Sequence, residues 1–594
     1  MRPEIDTIKK RIESRSQLSR SNYLKKIEIW KKKSPNRNNL GCSNLAHTYA
    51  ACGKKNSKNL NIKQFIGIIT AYNDMLSAHA PFETYPSKLK KEAENLNLHI
   101  QVAGGVPAMC DGITQGEPGM ELSLFSRDTI ALSTAIGLSH NVFDSAICMG
   151  TCDKIVPGLL IGALQFGHLP IIFIPGGPMS TGISNATKSE SRKSFAAGEI
   201  NKIELLAVEQ QAYHSQGTCT FYGTANTNQL IAEAMGFQLP GAAFTPSDSP
   251  TRELLNLESL KSLMKLMDAE IGVGEMLSIK NWMNAMIVLL ASGGSTNLVI
   301  HLIAMARAAG YQITPQDFND LSSIIPLLCQ IYPNGTADVN EFHAEGGISR
   351  LLKNLLEVGL IYNDIETVAG FGLELYTKTP HVDSANPKKL YWKQIESSNQ
   401  NLKTIASANN PFKKNGGIKF IGGEIAEGVI KVSALKDENE IISAPARVFT
   451  SQHEILEAFK KQELNHDLIL VLLGQSPSIN GMPELHKLTS PINVLQSKGY
   501  KIALITDGRM SGASGSFPAL IHAVSKKNNL YKIQDGDKIV LDLKNALLSL
   551  INCSLDEREP IDISAENEGI GRELFKIFRA NVGPVNEGAS IFHD

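Results

Sequence analysis

The chain has 594 residues, too many for one compact core, so two or more domains are expected. Its 58 Lys and Arg nearly balance 59 Asp and Glu, for a net charge of -1, which argues against a bulk electrostatic partner such as nucleic acid. No apolar run approaches the roughly 20 residues of a membrane span, and the eight cysteines show no paired CxxC and no disulfide-like spacing.

The first forty residues are rich in Lys and Arg, but Glu4, Asp6, Glu13 and Glu28 are interleaved. That pattern predicts a solvated amphipathic helix, with a nucleic-acid arm as the lesser alternative. The Met1 region lacks the apolar core of a signal peptide and carries acids that a transit peptide would not. A cytoplasmic chain with reduced thiols is expected. Residues 65–82, FIGIITAYNDMLSAHAPF, predict a short strand, a polar stretch and a helix. Residues 99–140 predict a strand, a long Gly-rich loop and a helix, and NVFDSAICMGTCDKIVPGLLIGALQFG repeats that plan. LPIIFIPGGPMSTG is a further strand ending in glycines. Strands alternating with helices argue for a mostly parallel sheet covered by helices. Residues 225–310 read as helical, and the break Ser292-Gly293-Gly294-Ser295 can cap a helix or admit a close backbone approach. The polar stretch 395–415 marks a domain boundary. It divides the chain into an α/β domain, 1–408, and a domain of short strands with few long helices, 409–594.

The residues that bear chemistry gather at strand exits. Cys152, Asp153 and Lys154 follow the apolar run Val142 to Met149. Neighbouring side chains on a strand point to opposite faces, so three adjacent polar groups converge only in a loop at the strand's C-terminal end, where open α/β sheets bind ligands. Read alone, the stretch is equally a polar exit loop with a half-buried cysteine. Cys219 lies in SQGTCTFYGTANTNQ, a Gly-, Thr- and Asn-rich loop before a helix. Cys152 and Cys219 suit an iron–sulfur cluster, whose usual ligands are thiolates, but two isolated cysteines read first as buried core residues. Asp111, in MCDGITQG, reads alone as a turn acid, and Glu484, in NGMPELHKL, as a helix-start acid. Ser511, in TDGRMSGASGSFP, follows an apolar strand and precedes a predicted helix. Such a serine is an N-cap or part of an anion site. The glycines beside it lack the spacing and the lysine of a phosphate loop. His79 and His486 read as structural hydrogen-bonders.

Taken together, AGGVPAMCDGITQG, GTCDKIVPG, GTCTFYGTANTNQ, ASGGSTN, NGMPELHKL and TDGRMSGASG resemble the dihydroxyacid/6-phosphogluconate dehydratase family, from about residue 15 to the C-terminus. SNLAHTYAAC, AYNDMLSAHAPFE and YPNGTADVN resemble its phosphogluconate branch. The resemblance implies an N-terminal parallel-sheet α/β domain and a C-terminal β-barrel-like swivelling domain. It implies that Cys152 and Cys219 hold an iron–sulfur cluster, of 4Fe-4S type with 2Fe-2S as the alternative. It implies that Asp111, Asp153 and Glu484 bind magnesium (Mg2+), that Lys154 carries a carbamate there, and that Ser511 is the general base. The implied reaction is dehydration of 6-phospho-D-gluconate to 2-dehydro-3-deoxy-6-phospho-D-gluconate in the Entner–Doudoroff pathway, by a cytoplasmic homodimer. Arg127, Arg509 and Arg572 are candidates for the substrate phosphate.

The sequence departs from the family pattern twice. Ala78 stands where three-cysteine members have a cysteine, which favours the 4Fe-4S type and leaves Cys42, Cys110 or Cys148 as a possible third ligand. In LVLLGQSPSINGMPE, Leu473 replaces an arginine, Ser476 a glycine and Ser478 a lysine. Either two substrate-facing cations are lost or the loop only packs, and the continuous apolar run LILVLL favours packing. The alternatives are a dehydratase of another sugar acid or of branched-chain dihydroxy acids and, in another class, a non-catalytic iron–sulfur sensor.

Overall fold

The computed structural model describes residues 1–52, 63–196, 198–395, 402–436, 440–512 and 515–592. Strands β1 (Gln64–Thr70), β2 (Leu98–Gly105), β3 (Ser145–Met149) and β4 (Ile171–Ile174) form an all-parallel sheet in the order β2-β1-β3-β4. Every residue of β3 and β4 is buried, as a parallel sheet covered on both faces requires. The strand order reverses between β1 and β3, which opens a crevice at their C-terminal ends.

Helix α1 (Pro3–Lys31) is amphipathic as expected but is not solvated all round. Ile5, Ile8 and Ile12, spaced by one helical turn, are buried together with Ile27. Arg11 and Arg15 on the same helix both pair with the buried Asp317, which fixes it to the body of the fold. Helices α2 (Ser123–Leu138) and α3 (Ile155–Leu164) pack closely together, each following a strand of the sheet. Further along lie α4 (Thr224–Ala234), α5 (Ile279–Ser292) and α6 (Asn297–Ala308). Gly293 ends α5 in the left-handed conformation, φ 62°, which a glycine takes without strain.

The second region is a closed eight-stranded barrel. Its strands are β5 (Ile418–Gly423), β6 (Glu427–Lys431), β7 (Ile441–Phe449), β8 (Leu468–Leu472), β9 (Ile502–Thr506), β10 (Ala519–Val524), β11 (Lys538–Asp542) and β12 (Leu547–Leu550). They close in the order β6-β10-β9-β8-β7-β11-β12-β5, which leaves no open edge. Ile421, Ile430, Val471, Ile505 and Leu541 belong to its separate apolar core. The expectation of a helix after Ser511 is corrected here: the segment ALIHAV, buried at its four central residues, is β10. Residues 396–401 of the expected boundary stretch lie outside the described residues. Among the described residues no helix is long and apolar enough to cross a membrane.

Leu473 directly follows β8 and lies inside this core, 0% exposed, with its N–H donating to the Phe449 carbonyl at 2.9 Å. Ser478 is exposed on the surface. Leu473→Arg is therefore expected to destabilise the barrel rather than to restore a substrate contact. An uncompensated buried charge costs about 3–5 kcal/mol. Thermal or urea unfolding measures this directly; an unchanged midpoint with a higher kcat/KM would place residue 473 at the substrate instead.

Candidate active site

The crevice above β1–β3 is lined by two loops that carry the same dipeptide. After β2 the chain runs to Cys110 and Asp111, which begins one helical turn. After β3 it runs to Cys152, Asp153 and Lys154, and α3 starts at Ile155. Cys152 has φ 73°, a left-handed conformation that a non-glycine residue holds only where its surroundings impose it. Asn228 of α4 donates to the carbonyls of Cys152 and Asp153, at 3.3 and 2.8 Å, and holds this bend in place.

Lys154 is fully buried and its Nζ donates to Asp111 Oδ2 and, at 3.1 Å, to Asp153 Oδ2. The barrel side supplies Glu484 and Arg509, whose backbones pair as neighbouring strands do. Arg509 Nη1 donates to Glu484 Oε1 at 2.8 Å and its Nε to the Met482 carbonyl at 2.8 Å. The same guanidinium lies 3.4 Å from Asp111 Oδ2 and 3.7 Å from Asp153 Oδ2. Asn297 and Gln115 donate to the two oxygens of Glu484, at 2.8 and 3.3 Å, and Ser123 Oγ to Asp111 Oδ1 at 2.6 Å.

Asp111, Asp153 and Glu484 thus meet across the seam, each offering an oxygen within 4.8 Å of the others. Burial works against the Asp111 carboxylate, but Lys154 and Arg509 outweigh it and hold the group well below its usual range. Burial raises Asp153 well above its usual value; Lys154 opposes that while Asp111 and Glu484 add to it. Burial also raises Glu484, against the pull of Arg509. Two of the three acids therefore still resist ionisation after both cations have acted. A further positive charge is what this donor set lacks, and three hard oxygen donors suit a divalent ion such as magnesium.

The thiols lie beside the acids. Cys219 sits in a loop fixed by Asn226, which donates to the carbonyls of Cys219 and Phe221 at 2.7 and 2.8 Å. Burial raises Cys152 well above its ordinary range, with Cys110 and Cys219 adding to it. Burial pushes Cys219 up to about 12, again with Cys110 adding. Half-buried thiols facing one another in this way need metal charge to become thiolates, and iron supplies it in iron–sulfur sites.

Ser511 is buried at the same seam. Its neighbour Gly512 is pressed onto the first domain: a Cβ there would stand 2.6 Å from the Thr224 N and 2.8 Å from Ser295 Oγ. Only glycine admits that approach, so the Ser511 loop rests on the start of α4 and on the Ser292–Ser295 break. Buried Lys431 donates to the Gly512 carbonyl at 3.5 Å, and burial alone lowers its amine to about 7.

The other two candidate arginines lie elsewhere. Arg127 is fully buried and committed: it binds Asp128 at 2.8 Å and the carbonyls of Gly588 and Ala589 at 3.0 and 2.6 Å. Arg127 thereby ties the C-terminal segment to α2. Arg572 pairs with Glu121 at 2.5 Å. The supporting residues Asn228 and Asn297 lie inside GTANTNQ and ASGGSTN, where nothing local marks them as contacts of the Cys152 loop and Glu484.

Comparison with known proteins agrees with this geometry. The dihydroxy-acid/6-phosphogluconate dehydratase N-terminal description matches residues 63–376, and its C-terminal counterpart matches residues 403–589. The chain is similar to a phosphogluconate dehydratase of Pseudomonas aeruginosa, 46% identical over 100% of this chain and 99% of the relative. A phosphogluconate dehydratase of Zymomonas mobilis is 44% identical over 98% of this chain and 97% of its own. A dihydroxy-acid dehydratase of Caldanaerobacter subterraneus is 33% identical over 84% of this chain and 87% of its own.

Proposed function

The chain belongs to the dihydroxy-acid/6-phosphogluconate dehydratase family, and from that premise we infer that it is a hydro-lyase acting on 6-phospho-D-gluconate. It removes water to give 2-dehydro-3-deoxy-6-phospho-D-gluconate, the dehydration of the Entner–Doudoroff route. The observation that carries this reading is the end-to-end likeness to phosphogluconate dehydratases, at 46% identity over 99% of the chain for the Escherichia coli K12 relative. The seam between sheet and barrel, where the three acids meet and Ser511 is buried, supports it.

In the reaction a proton leaves C2 and hydroxide leaves C3. The resulting enol takes a proton at C3 and becomes the 2-keto acid. Ser511 takes the C2 proton, in a loop that Gly512 presses against the Thr224 backbone nitrogen at the start of α4. Asp111, Asp153, Glu484 and a carbamate on Lys154 hold magnesium, and Arg509 orients Glu484 rather than reaching for phosphate. Cys152 and Cys219 hold the iron–sulfur cluster, of 4Fe-4S type. When bound, the cluster supplies an open iron as Lewis acid for the departing hydroxyl, and magnesium a hard cation for the substrate oxygens. The domain division at residues 408/409 gives the cysteines, Asp111, Asp153 and Lys154 to one domain and Glu484 and Ser511 to the other. A cytoplasmic homodimer completes the reading.

The test is a comparison of three substrates on anaerobically reconstituted protein: 6-phosphogluconate, gluconate and 2,3-dihydroxy-3-methylbutanoate. Hydrogen bonds to charged groups contribute about 1.5–3 kcal/mol each, so the phosphorylated acid is expected to lead in kcat/KM by roughly tenfold or more. Better turnover of either other acid overturns the substrate and leaves the dehydratase. Iron-loaded protein that turns over none of them is the sensor.

A further inference from the structure

Four irons held by two thiolates would leave half of a cube without protein ligands, so the identity of a third ligand matters. We propose that Cys110 is the third protein ligand of the iron–sulfur cluster, in the role that three-cysteine relatives give to the position of Ala78. This rests on the preceding reading that Cys152 and Cys219 hold a cluster.

The argument begins with the repeated dipeptide. Cys110–Asp111 leaves β2 and Cys152–Asp153 leaves β3, on either side of β1. Both acids are pinned to one point, since Lys154 Nζ bonds the two carboxylates and Glu484 closes the group. Consecutive Cα atoms are about 3.8 Å apart, so each cysteine stands one step from that point. The Cys110 sulfur turns back over its own loop and would lie 3.4 Å from a Cβ on Gly112. Burial raises this thiol, with Asp111 adding to it and the Gly112 and Ile113 N–H groups opposing, so it too needs metal charge to become a thiolate. Thr151, beside Cys152, and Gly217, two residues before Cys219, both bond the Ser77–Ala78 backbone, which brings the Cys152 and Cys219 loops to the same mouth of the crevice.

The other cysteines are placed elsewhere. Cys148 is 0% exposed in the core of β3, and Cys42 is exposed at the start of the helix Cys42–Ala50. Cys52 contacts His99 Nε2 at 3.0 Å, at the beginning of β2 and so at the opposite end of the sheet. Cys329 is buried in the core and Cys553 is exposed near Arg558. Position 78 itself lies against the cysteine loops. Its carbonyl accepts from Thr151 Oγ1 at 3.0 Å, and the Ser77 carbonyl accepts from Gly217 N at 2.7 Å. An alanine methyl there cannot ligate, so the vacant role falls to the thiol that is present. Each thiol gives its proton to solvent as its iron–sulfur bond forms. With Cys110 as well as Cys152 and Cys219, three thiolates would hold the cluster, which when bound would supply a Lewis acid for the departing hydroxyl.

Iron and sulfide per chain, visible absorption and Mössbauer spectra test this on full-length protein reconstituted anaerobically. Cys110→Ala is expected to lose iron to the level of Cys152→Ala while circular dichroism and melting temperature hold, and Cys148→Ala to keep the parent iron. Ala78→Cys added to Cys110→Ala is expected to restore iron and the visible bands, which a variant damaged only in folding would not do. Parent iron and an unchanged Mössbauer spectrum in Cys110→Ala overturn the proposal. Iron in Cys152→Ala equal to the parent overturns the underlying cluster reading instead.

Discussion

Ser511→Ala is expected to keep the fold, iron and magnesium of the parent and to lose at least about 10²–10⁴-fold in kcat, the range a positioned base contributes. The separation of effects follows from how the loop is held. The clamp is Gly512, where a Cβ would collide with Thr224 N and Ser295 Oγ, and the substitution leaves that glycine untouched. Asp507, four residues earlier, is fixed independently by Tyr531 at 2.6 Å and by the Gln475 and Ser476 N–H groups at 2.9 and 3.0 Å. Only the Oγ is removed, so the backbone path past the site should persist. A serine is a weak acid, and its use as a base requires the preorganised donors and positive charge that this seam concentrates. Single-turnover assays with parallel metal analysis check the prediction. Near-parent turnover, or iron lost together with activity, would show that the serine is not the base.

How much of this was legible before the structure depends on the range of the contacts. The strand–loop–helix plan around β1–β4 could be read because its signals are local: apolar runs of strand length, each ended by a Gly-rich loop. The placement of Cys152, Asp153 and Lys154 at a strand exit followed from the same rule. The closure of the barrel could not be read, because pairing of β5 with β6 and β12 says nothing in sequence about which strands meet. The helix expected after Ser511 is instead the strand ALIHAV, because a short apolar run does not declare its period and β10 is decided by its partners β6 and β9. The arginines show the limit most clearly. Arg127 and Arg509 look alike as buried-site candidates, yet one is spent on carbonyls more than 460 residues away and the other on Glu484. The charge-rich face of α1 masked its isoleucine stripe for a similar reason: the surface it covers is formed by distant helices.

Lys154→Arg is expected to abolish turnover and to weaken magnesium binding by at least about 10–100-fold, the usual loss when a group that orients a metal site is removed. The charge count explains why. Three buried carboxylates face two cations, Lys154 and Arg509, and Asp153 and Glu484 remain raised even so. An ammonium at Lys154 in direct contact with Asp111 and Asp153 would repel the dication that these acids are arranged to hold. Carbon dioxide added to Nζ converts it to an anion of carboxylate type, which turns repulsion into a fourth oxygen donor. Arginine keeps the positive charge and forms no such adduct. Because Lys154 is fully buried, the larger guanidinium could also strain the fold, so Lys154→Gln, smaller and neutral, is the companion variant. Both should bind magnesium weakly and be indifferent to bicarbonate, whereas the parent stripped of carbon dioxide should lose magnesium affinity and regain it when bicarbonate returns. Full turnover by Lys154→Arg, or an unmodified amine in the active magnesium-bound enzyme, would sink the carbamate and leave Lys154 as a counter-charge that only holds the two aspartates together.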